Sequence, residues 1–274
     1  MPEAPPHETI PPDAQTRRAR FPRGLTQPAD GFRFAADTLL LAAFAAQTLG
    51  GRKPLTGLDI GTGCGAASFG LLLLRPDLDL HLTGIDASPE LLACAQDNAR
   101  GLGLDRRFAA LDADAAVYAA PACDFALLNA PFRTPGTGRA CPNHGRERAR
   151  FEGPGGFALF AGCAARNLRT RGRLFLVHLS ERLPALFAAL VGQGLAPKRL
   201  LPVQGRGGQS PRLVLIAAVR GGGPGLNLLP PLTLYDDRGG LTPEAERFCP
   251  PLAVNPRRTK NPGPAPLANV RQQG

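Results

Sequence analysis

Several absences limit what this chain of 274 residues can be. No apolar run approaches the roughly 20 residues that a membrane-spanning helix needs. The amino terminus has neither the basic start nor the apolar stretch of a signal peptide, so we expect a cytoplasmic protein without membrane contact. The six cysteines include no Cys-x-x-Cys pair, and the four histidines show no ligand spacing relative to them. This pattern argues against a metal site and, without an export signal, against a disulfide framework.

Lysine is scarce, although the chain is strongly basic. Lysine occurs only at positions 53, 198 and 260, so the formal charge of +10 comes almost entirely from arginine. A charge of this sign favours an acidic partner, most simply a nucleic acid. Much of the charge lies in segments that we expect to be flexible, so charge alone indicates RNA or DNA binding without specifying it.

The two ends of the chain differ in composition from its middle. Residues 1–20 are polar and rich in proline, and residues 250–274 are rich in Pro, Asn, Arg and Gln. Neither end can bury enough apolar surface to offset the entropy lost on ordering, so we predict that both are disordered. The remaining residues, 21–249, are predicted to form one domain with a basic, glycine-rich loop at 133–156.

Short apolar runs alternate with helical patterns inside this domain. Strands are predicted at 55–60, 80–85, 107–111, 123–128, 173–179, 197–203 and 212–219, and helices at 36–49, 65–74, 88–102, 155–169 and 181–193. Strands separated by helices of this length indicate βαβ units and a parallel sheet. The last two strands are joined by a glycine-rich loop without a helix and should form an antiparallel hairpin. The predicted fold class is therefore α/β, with a doubly wound, mostly parallel seven-stranded sheet that ends in a C-terminal antiparallel hairpin.

A glycine-rich loop follows the first predicted strand and opens a helix. Gly61, Gly63 and Gly65 let the backbone approach a ligand closely, and the helix N-terminus adds N–H donors. The spacing also satisfies the looser dinucleotide pattern. However, Asp59 directly precedes the loop, where a carboxylate suits a cationic α-amino group and would repel a pyrophosphate. The loop therefore argues against NAD.

Two further acidic residues follow the next two strands. Asp86 ends the second strand, where a carboxylate can accept hydrogen bonds from both hydroxyls of a ribose. Asp114 follows the third strand and is placed to accept from an exocyclic amine or a ring edge. Each acid alone is explained equally well as a cap of a strand–helix turn. Together with Asp59, they fit a cofactor that has an amino acid head, a ribose and an adenine.

An amide, a stiff turn and an aromatic ring follow the fourth strand. They are Asn129, Ala130, Pro131 and Phe132. Ligands in open α/β sheets bind at the carboxyl ends of the strands. The Asn129 side-chain oxygen and the Ala130 carbonyl can hold an amino group there, and Phe132 can stack on a flat one.

These motifs together resemble the class I S-adenosylmethionine-dependent methyltransferases, whose Rossmann-like sheet has seven strands and ends in a hairpin. Gly61 to Gly65 would be the glycine loop, and Asp86 the ribose-binding acid. The segment 129–132 resembles the Asn-Pro-Pro-Tyr/Phe motif of the amino methyltransferases that modify adenine N6 or glutamine N5.

Segments outside these motifs resemble the bacterial tRNA1(Val) adenine-N6 methyltransferases, over about residues 23–248. These segments are 27–28, 31–34, 37–42, 150–152, the strand before 180–183, 232–235 and 241–246. The resemblance implies S-adenosylmethionine as cofactor, a cofactor-binding role for Asp37 at the start of the first of the predicted helices, and tRNA as partner. We expect a monomer without a metal ion.

The implied reaction is methyl transfer to an exocyclic amine, most simply adenine N6 in a tRNA anticodon loop, where an unstacked base can turn into a pocket. The residues after the motif carry arginines that are predicted to bind RNA phosphates. They are Arg133, Arg139, Arg146, Arg148 and Arg150.

Ala130 departs from the family pattern, because the usual proline fixes φ at that position. Two alternatives therefore stay open. The acceptor is a glutamine N5 or another RNA base amine, or the chain is a non-catalytic relic that binds cofactor or RNA.

Overall fold

The computed structural model describes residues 12–28, 33–51, 53–129 and 156–254. Its helices are α1 (Pro12–Arg20), α2 (Ala36–Thr48), α3 (Ala66–Leu74), α4 (Pro89–Gly101), α5 (Gly156–Asn167), α6 (Leu183–Gly192), α7 (Pro243–Phe248) and α8 (Pro251–Val254). Its strands are β1 (Leu55–Ile60), β2 (Leu80–Asp86), β3 (Phe108–Asp112), β4 (Cys123–Leu128), β5 (Leu168–Leu179), β6 (Leu195–Arg206), β7 (Leu213–Arg220), β8 (Asn227–Leu228) and β9 (Leu232–Tyr235). All seven predicted strands and all five predicted helices are present, most with boundaries shifted by a few residues.

One mixed sheet organises the described residues. Its strand order is β3-β2-β1-β4-β5-β7-β6-β8, and β9 pairs with β6 beyond this path. Strands β1 to β5 are parallel to one another, whereas β7 runs antiparallel to both β5 and β6. The α/β class, the mostly parallel sheet and the antiparallel hairpin are confirmed.

The predicted strand number was too low. Within the described ranges the sheet has nine strands, because β8 and β9 each pair in parallel with β6. These strands have two and four residues. Segments so short carry too little alternation of apolar and polar residues to be recognised as strands.

Helices cover both faces of the sheet. In β4, Phe125 and Leu127 belong to the apolar core that contains α2 and α3, whereas Ala126 and Leu128 belong to the core under α5 and α6. Alternate residues of a strand point to opposite faces, so a strand buried on both sides reads as one continuous apolar run. Helix α2 is apolar all round for a similar reason, since it packs between the sheet, α3 and the C-terminal helices.

The prediction of disorder was wrong for residues 12–20, which form α1. Ala14 and Phe21 are buried there, and Arg18 donates from Nε to the Leu102 carbonyl (2.7 Å) and from Nη2 to the Gly103 carbonyl (2.9 Å). A basic side chain that caps the C-terminal carbonyls of a helix is stabilised by their partial negative charge. A composition argument cannot detect this, because it treats every arginine as a solvated charge.

The prediction of disorder was also wrong for residues 251–254, which form α8. Leu252 is buried there against α2 and α7. Residues 1–11 and 255–274, and the predicted basic loop up to residue 155, lie outside the described residues. No helix in the described ranges is both long and apolar enough to cross a membrane.

Candidate active site

The parallel strands bring the predicted site residues to one edge of the sheet. Ile60 pairs with Ile85 of β2 on one side and with Leu128 of β4 on the other. The residues that follow Ile60, Ile85 and Leu128 in the chain are, in that order, Gly61, Asp86 and Asn129. These three positions are therefore neighbours at the carboxyl ends of adjacent strands, which is where open α/β sheets bind ligands.

The glycine loop turns sharply and leaves open space above it. Gly61, Gly63 and Gly65 have φ angles of 69°, 58° and 84°, which L-residues with side chains rarely adopt. A Cβ atom at Gly61 or Gly63 would meet no heavy atom within 4 Å, whereas one at Gly65 would lie 2.3 Å from Cε2 of Phe69. The first two glycines thus form an open cradle that fits a ligand, and the third allows α3 to pack.

Backbone hydrogen bonds hold this loop onto β2. The amides of Gly61 and Thr62 both donate to the Ile85 carbonyl at 2.9 Å, and the Gly63 amide donates to Oδ2 of Asp86 at 2.9 Å. Hydrogen bonds within the protein therefore contribute to the shape of the loop.

Asp86 is oriented by the backbone on both sides. Its Oδ2 accepts from Gly63, and its Oδ1 accepts from the Ser88 amide at 2.9 Å. Burial raises the pKa of Asp86 above its ordinary value, and the backbone hydrogen bonds counter part of this rise. An ionised carboxylate offers about four acceptor positions. Asp86 therefore retains the capacity to accept from a ribose diol beside the loop.

Asp59 lies beneath the loop, with only 2% of its surface exposed. Its Oδ2 accepts from the hydroxyls of Thr62 (2.8 Å) and Ser68 (2.7 Å). Burial raises the pKa of Asp59 to about 6, and these hydroxyls act in the opposite direction. The carboxyl thus braces the loop and the start of α3. Its predicted contact with a cationic amino group stays a prediction.

Asp114 caps a turn after β3. Its Oδ1 accepts from the Ala116 amide at 2.8 Å, and its carbonyl accepts from the amides of Val117 and Tyr118. Ala113, just before it, donates to the Asp86 carbonyl at 3.2 Å, which ties this turn to the end of β2. The structure therefore gives Asp114 a local role, and its predicted contact with adenine is untested.

The start of α2 reaches the side chain of Asn129. Asn129 donates from Nδ2 to the Thr38 hydroxyl at 2.7 Å, although 91 residues separate the two positions. Asp37 is next to Thr38, and burial raises its pKa, partly countered by hydrogen bonds from Thr38 and Asn129. Asp37, which we predicted to bind cofactor, is thus joined to the predicted acceptor residue. Its contact with cofactor stays a prediction.

The remaining predicted site residues lie outside the described ranges. They are Ala130, Pro131, Phe132, Arg133, Arg139, Arg146, Arg148 and Arg150. Where the structure is described, no group of three or more His, Cys, Asp or Glu side chains is arranged to hold a metal ion.

Asn98 is a residue of the site that the sequence reasoning missed. Its Oδ1 accepts from the Thr26 amide (2.7 Å), and its Nδ2 donates to the carbonyls of Thr26 (2.9 Å) and Cys64 (3.0 Å). It therefore ties the segment before α2 to the glycine loop. The available signal was an amide on the apolar stripe of α4, beside Ala95 and Ala99.

Comparisons with known proteins agree with this geometry. No model of a protein family matches the chain. The chain is 27% identical over 176 residues to the tRNA1(Val) (adenine(37)-N6)-methyltransferase of Tolumonas auensis, which covers 63% of this chain and 73% of that protein. It is 42% identical over 72 residues to a 23S rRNA (uracil(747)-C(5))-methyltransferase of Escherichia coli, or 26% of this chain and 19% of that protein.

Solved structures decide the fold. A structure from Agrobacterium tumefaciens, described as a predicted O-methyltransferase, superposes with a TM-score of 0.60 at 18% identity, over 78% of this chain and 96% of that one. A Listeria monocytogenes protein assigned to the class I S-adenosylmethionine-dependent methyltransferases superposes with a TM-score of 0.53 at 17% identity, over 82% of this chain and 72% of that one. The chain has the class I methyltransferase fold.

The resemblance inferred from the motifs is therefore confirmed, as are the enzyme class and the cofactor predicted from it. The curated relatives are RNA methyltransferases, and the neighbours in structure share the Rossmann-like methyltransferase sheet. The open cradle at Gly61 and Gly63 and the oriented carboxyl of Asp86 fit S-adenosylmethionine, because a ligand can lie over the glycines with its ribose at the acid.

Proposed function

We propose that the chain methylates the exocyclic N6 amine of an adenine in tRNA, in an anticodon loop. The observation that carries this proposal is the position of Asn129. Its side-chain amide lies at the carboxyl end of β4, one strand away from the glycine loop that follows β1. An amine held by this amide is adjacent to the cofactor cradle.

The chemistry needs positioning more than it needs a base. S-adenosylmethionine, when bound, supplies an electrophilic methyl group. The N6 lone pair of adenine is delocalised into the ring and is a poor nucleophile. Acceptors that hold its two N–H groups out of the ring plane favour the tetrahedral, nucleophilic geometry. In this proposal the Asn129 oxygen and the Ala130 carbonyl are these acceptors, Phe132 stacks on the base, and preorganised dipoles provide most of the rate enhancement.

The choice of tRNA is supported by similarity and by charge. The Tolumonas auensis relative, named for an adenine N6 in tRNA1(Val), matches more of this chain than the rRNA relative does. The chain also carries a formal charge of +10, which favours a polyanionic partner. A target base in a loop is unstacked, so that turning it into a pocket requires little energy.

A transfer assay tests the proposal directly. Labelled S-adenosylmethionine is incubated with the protein and, separately, with total tRNA, rRNA and protein from cells that lack the corresponding gene. We expect label in tRNA, recovered as N6-methyladenosine. Label in glutamine of a protein, or in another RNA base, would show that the acceptor is glutamine N5 or a different base amine. Cofactor binding without transfer to any pool would favour the relic that Ala130 suggests.

Asn129→Ala separates transfer from binding. We expect it to reduce methyl transfer to background while the dissociation constant for S-adenosylmethionine stays within about threefold, since the cradle is built by other strands. Asn227→Ala is the matched control, because it removes an exposed amide from β8, at the far end of the sheet. Unchanged turnover in Asn129→Ala would refute the assignment.

The salt dependence of tRNA binding tests the predicted RNA contacts. Affinity for tRNA should fall steeply with salt concentration, because each phosphate contact releases a condensed counterion. Replacing Arg146 and Arg148 by Glu should weaken binding and flatten the salt dependence. A flat response in the unmodified protein would contradict binding through these arginines.

A further inference from the structure

The start of α2 and the end of β4 share a hydrogen-bonded chain of three side chains. Asp37 Oδ1 accepts from the backbone amide of Thr38 at 2.7 Å and from its hydroxyl at 3.3 Å. The same hydroxyl oxygen accepts from Nδ2 of Asn129 at 2.7 Å. Thr38 is 6% exposed, so water does not readily replace either partner.

The direction of each bond follows from the donors available. A threonine hydroxyl has one proton, and that proton points to Asp37 Oδ1. This oxygen already accepts from a backbone N–H, so it remains an acceptor whether or not the other carboxyl oxygen is protonated. The Thr38 oxygen therefore presents a lone pair to Asn129, and only the NH2 branch of the Asn129 amide can satisfy it.

We propose that Thr38 is a positioning residue that fixes which way the Asn129 amide faces, so that the side-chain oxygen, and not the NH2 group, is presented to the amine that is methylated. This inference rests on the proposed function of the site. An amide turned by 180° would present donors to an amine that itself needs acceptors, and would set its oxygen against a lone pair of Thr38. The hydrogen-bonded chain removes that orientation before the substrate arrives.

The same geometry gives Asp37 an indirect role in orienting Asn129. Its carboxyl orients the hydroxyl proton of Thr38 and so acts on Asn129 through an intermediate side chain. The start of α2 thus contributes to the acceptor half of the site, in addition to any contact with cofactor.

Two substitutions at Thr38 separate orientation from packing. Thr38→Val keeps the shape and removes the hydroxyl, whereas Thr38→Ser keeps the hydroxyl. We expect Thr38→Val to lower kcat for methyl transfer by about 10- to 100-fold, the scale on which a misplaced reacting group slows a reaction. The KM for S-adenosylmethionine should change less than about threefold, and Thr38→Ser should recover most of kcat.

A matched control lies at the other end of the same helix. The Thr48 hydroxyl donates to the Phe44 carbonyl at 3.1 Å, away from the site. Thr48→Val should leave kcat within about twofold, whatever it does to the melting temperature. A purely structural role for Thr38 would lower the melting temperature of Thr38→Val without moving kcat, and that result would overturn the proposal.

A spectroscopic readout does not depend on the substrate. With selective ¹⁵N-Asn labelling and Asn129→Ala for assignment, the Nδ2 protons of Asn129 should exchange slowly with water in the unmodified protein and in Thr38→Ser. Exchange at solvent rates in the unmodified protein would overturn the inference even if Thr38→Val failed to fold. If the spectrum shows a held amide but no RNA or protein pool is methylated, the proposed function fails and the orientation of Asn129 stands.

Discussion

Replacing Asp59 by Asn changes a buried carboxyl into an amide of nearly the same shape under the glycine loop. Asp59 is almost fully buried and accepts from two hydroxyls, and burial raises its pKa to about 6. An unfolded chain would return this group to its ordinary pKa of about 3.9. The difference, about two pKa units, corresponds to about 3 kcal/mol at about 1.4 kcal/mol per unit.

The sign of the effect follows from proton binding. Between about pH 4 and pH 6 the folded state holds a proton on Asp59 that the unfolded state has released, so the free energy of unfolding falls as pH rises. The full loss of about 3 kcal/mol is reached above about pH 6. An Asn carries no charge at any pH, so this decline should be absent from Asp59→Asn.

The assay is urea unfolding of both proteins from pH 4 to pH 8. If the new NH2 group has no acceptor, it lowers the free energy of unfolding of Asp59→Asn by about 1–3 kcal/mol at every pH. The informative quantity is therefore the pH dependence of the difference between the two proteins. Relative to the unmodified protein, the free energy of unfolding of Asp59→Asn should rise by roughly 2–3 kcal/mol between pH 4 and pH 7.

If the two proteins lost stability in parallel with pH, Asp59 would not be the group that titrates between pH 4 and pH 6. Ser68→Ala gives an independent check, because the Ser68 hydroxyl lowers the pKa of Asp59. Without it, the decline in stability should extend to higher pH. Cofactor affinity measured on the same samples tests the predicted amino-group contact, since Asp59→Asn should then bind S-adenosylmethionine more weakly at pH 8.

Two other predictions concern the packing of the loop. Asn98→Ala leaves three backbone groups without their partner and should lower the free energy of unfolding by about 3 kcal/mol, or the melting temperature by roughly 6–12 °C; a fall below 2 °C would contradict the anchoring role. Gly65→Ala places a Cβ atom against the buried ring of Phe69 and should lower the free energy of unfolding by about 2–4 kcal/mol, measured in urea. Gly63→Ala meets open space and should lower it by only about 1–2 kcal/mol while weakening cofactor binding; equal losses of stability at the two glycines would contradict the cradle.

The sequence predicted the sheet well because its central strands, such as β1, β4 and β7, are buried on both faces along most of their length. Strand β4 is apolar at every position from Phe125 to Leu128, and the glycines that follow β1 must permit positive φ, so both leave a local signature. The errors fall where the signature is absent. Strands β8 and β9 are too short, and α1 is held by Arg18, whose partners directly follow the end of α4.

The class of fold, the glycine loop and the strand-end positions of Asp59, Asp86 and Asn129 could be predicted from the sequence, because local patterns and βαβ connections specify these features. The hydrogen-bond partners of each side chain became known from the three-dimensional packing. It places Thr38 against Asn129 across 91 residues, and it turns Asp59 under the loop toward Thr62 and Ser68. Hydrogen bonds between distant segments depend on packing geometry at a scale of ångströms, and no local pattern in a sequence carries that information.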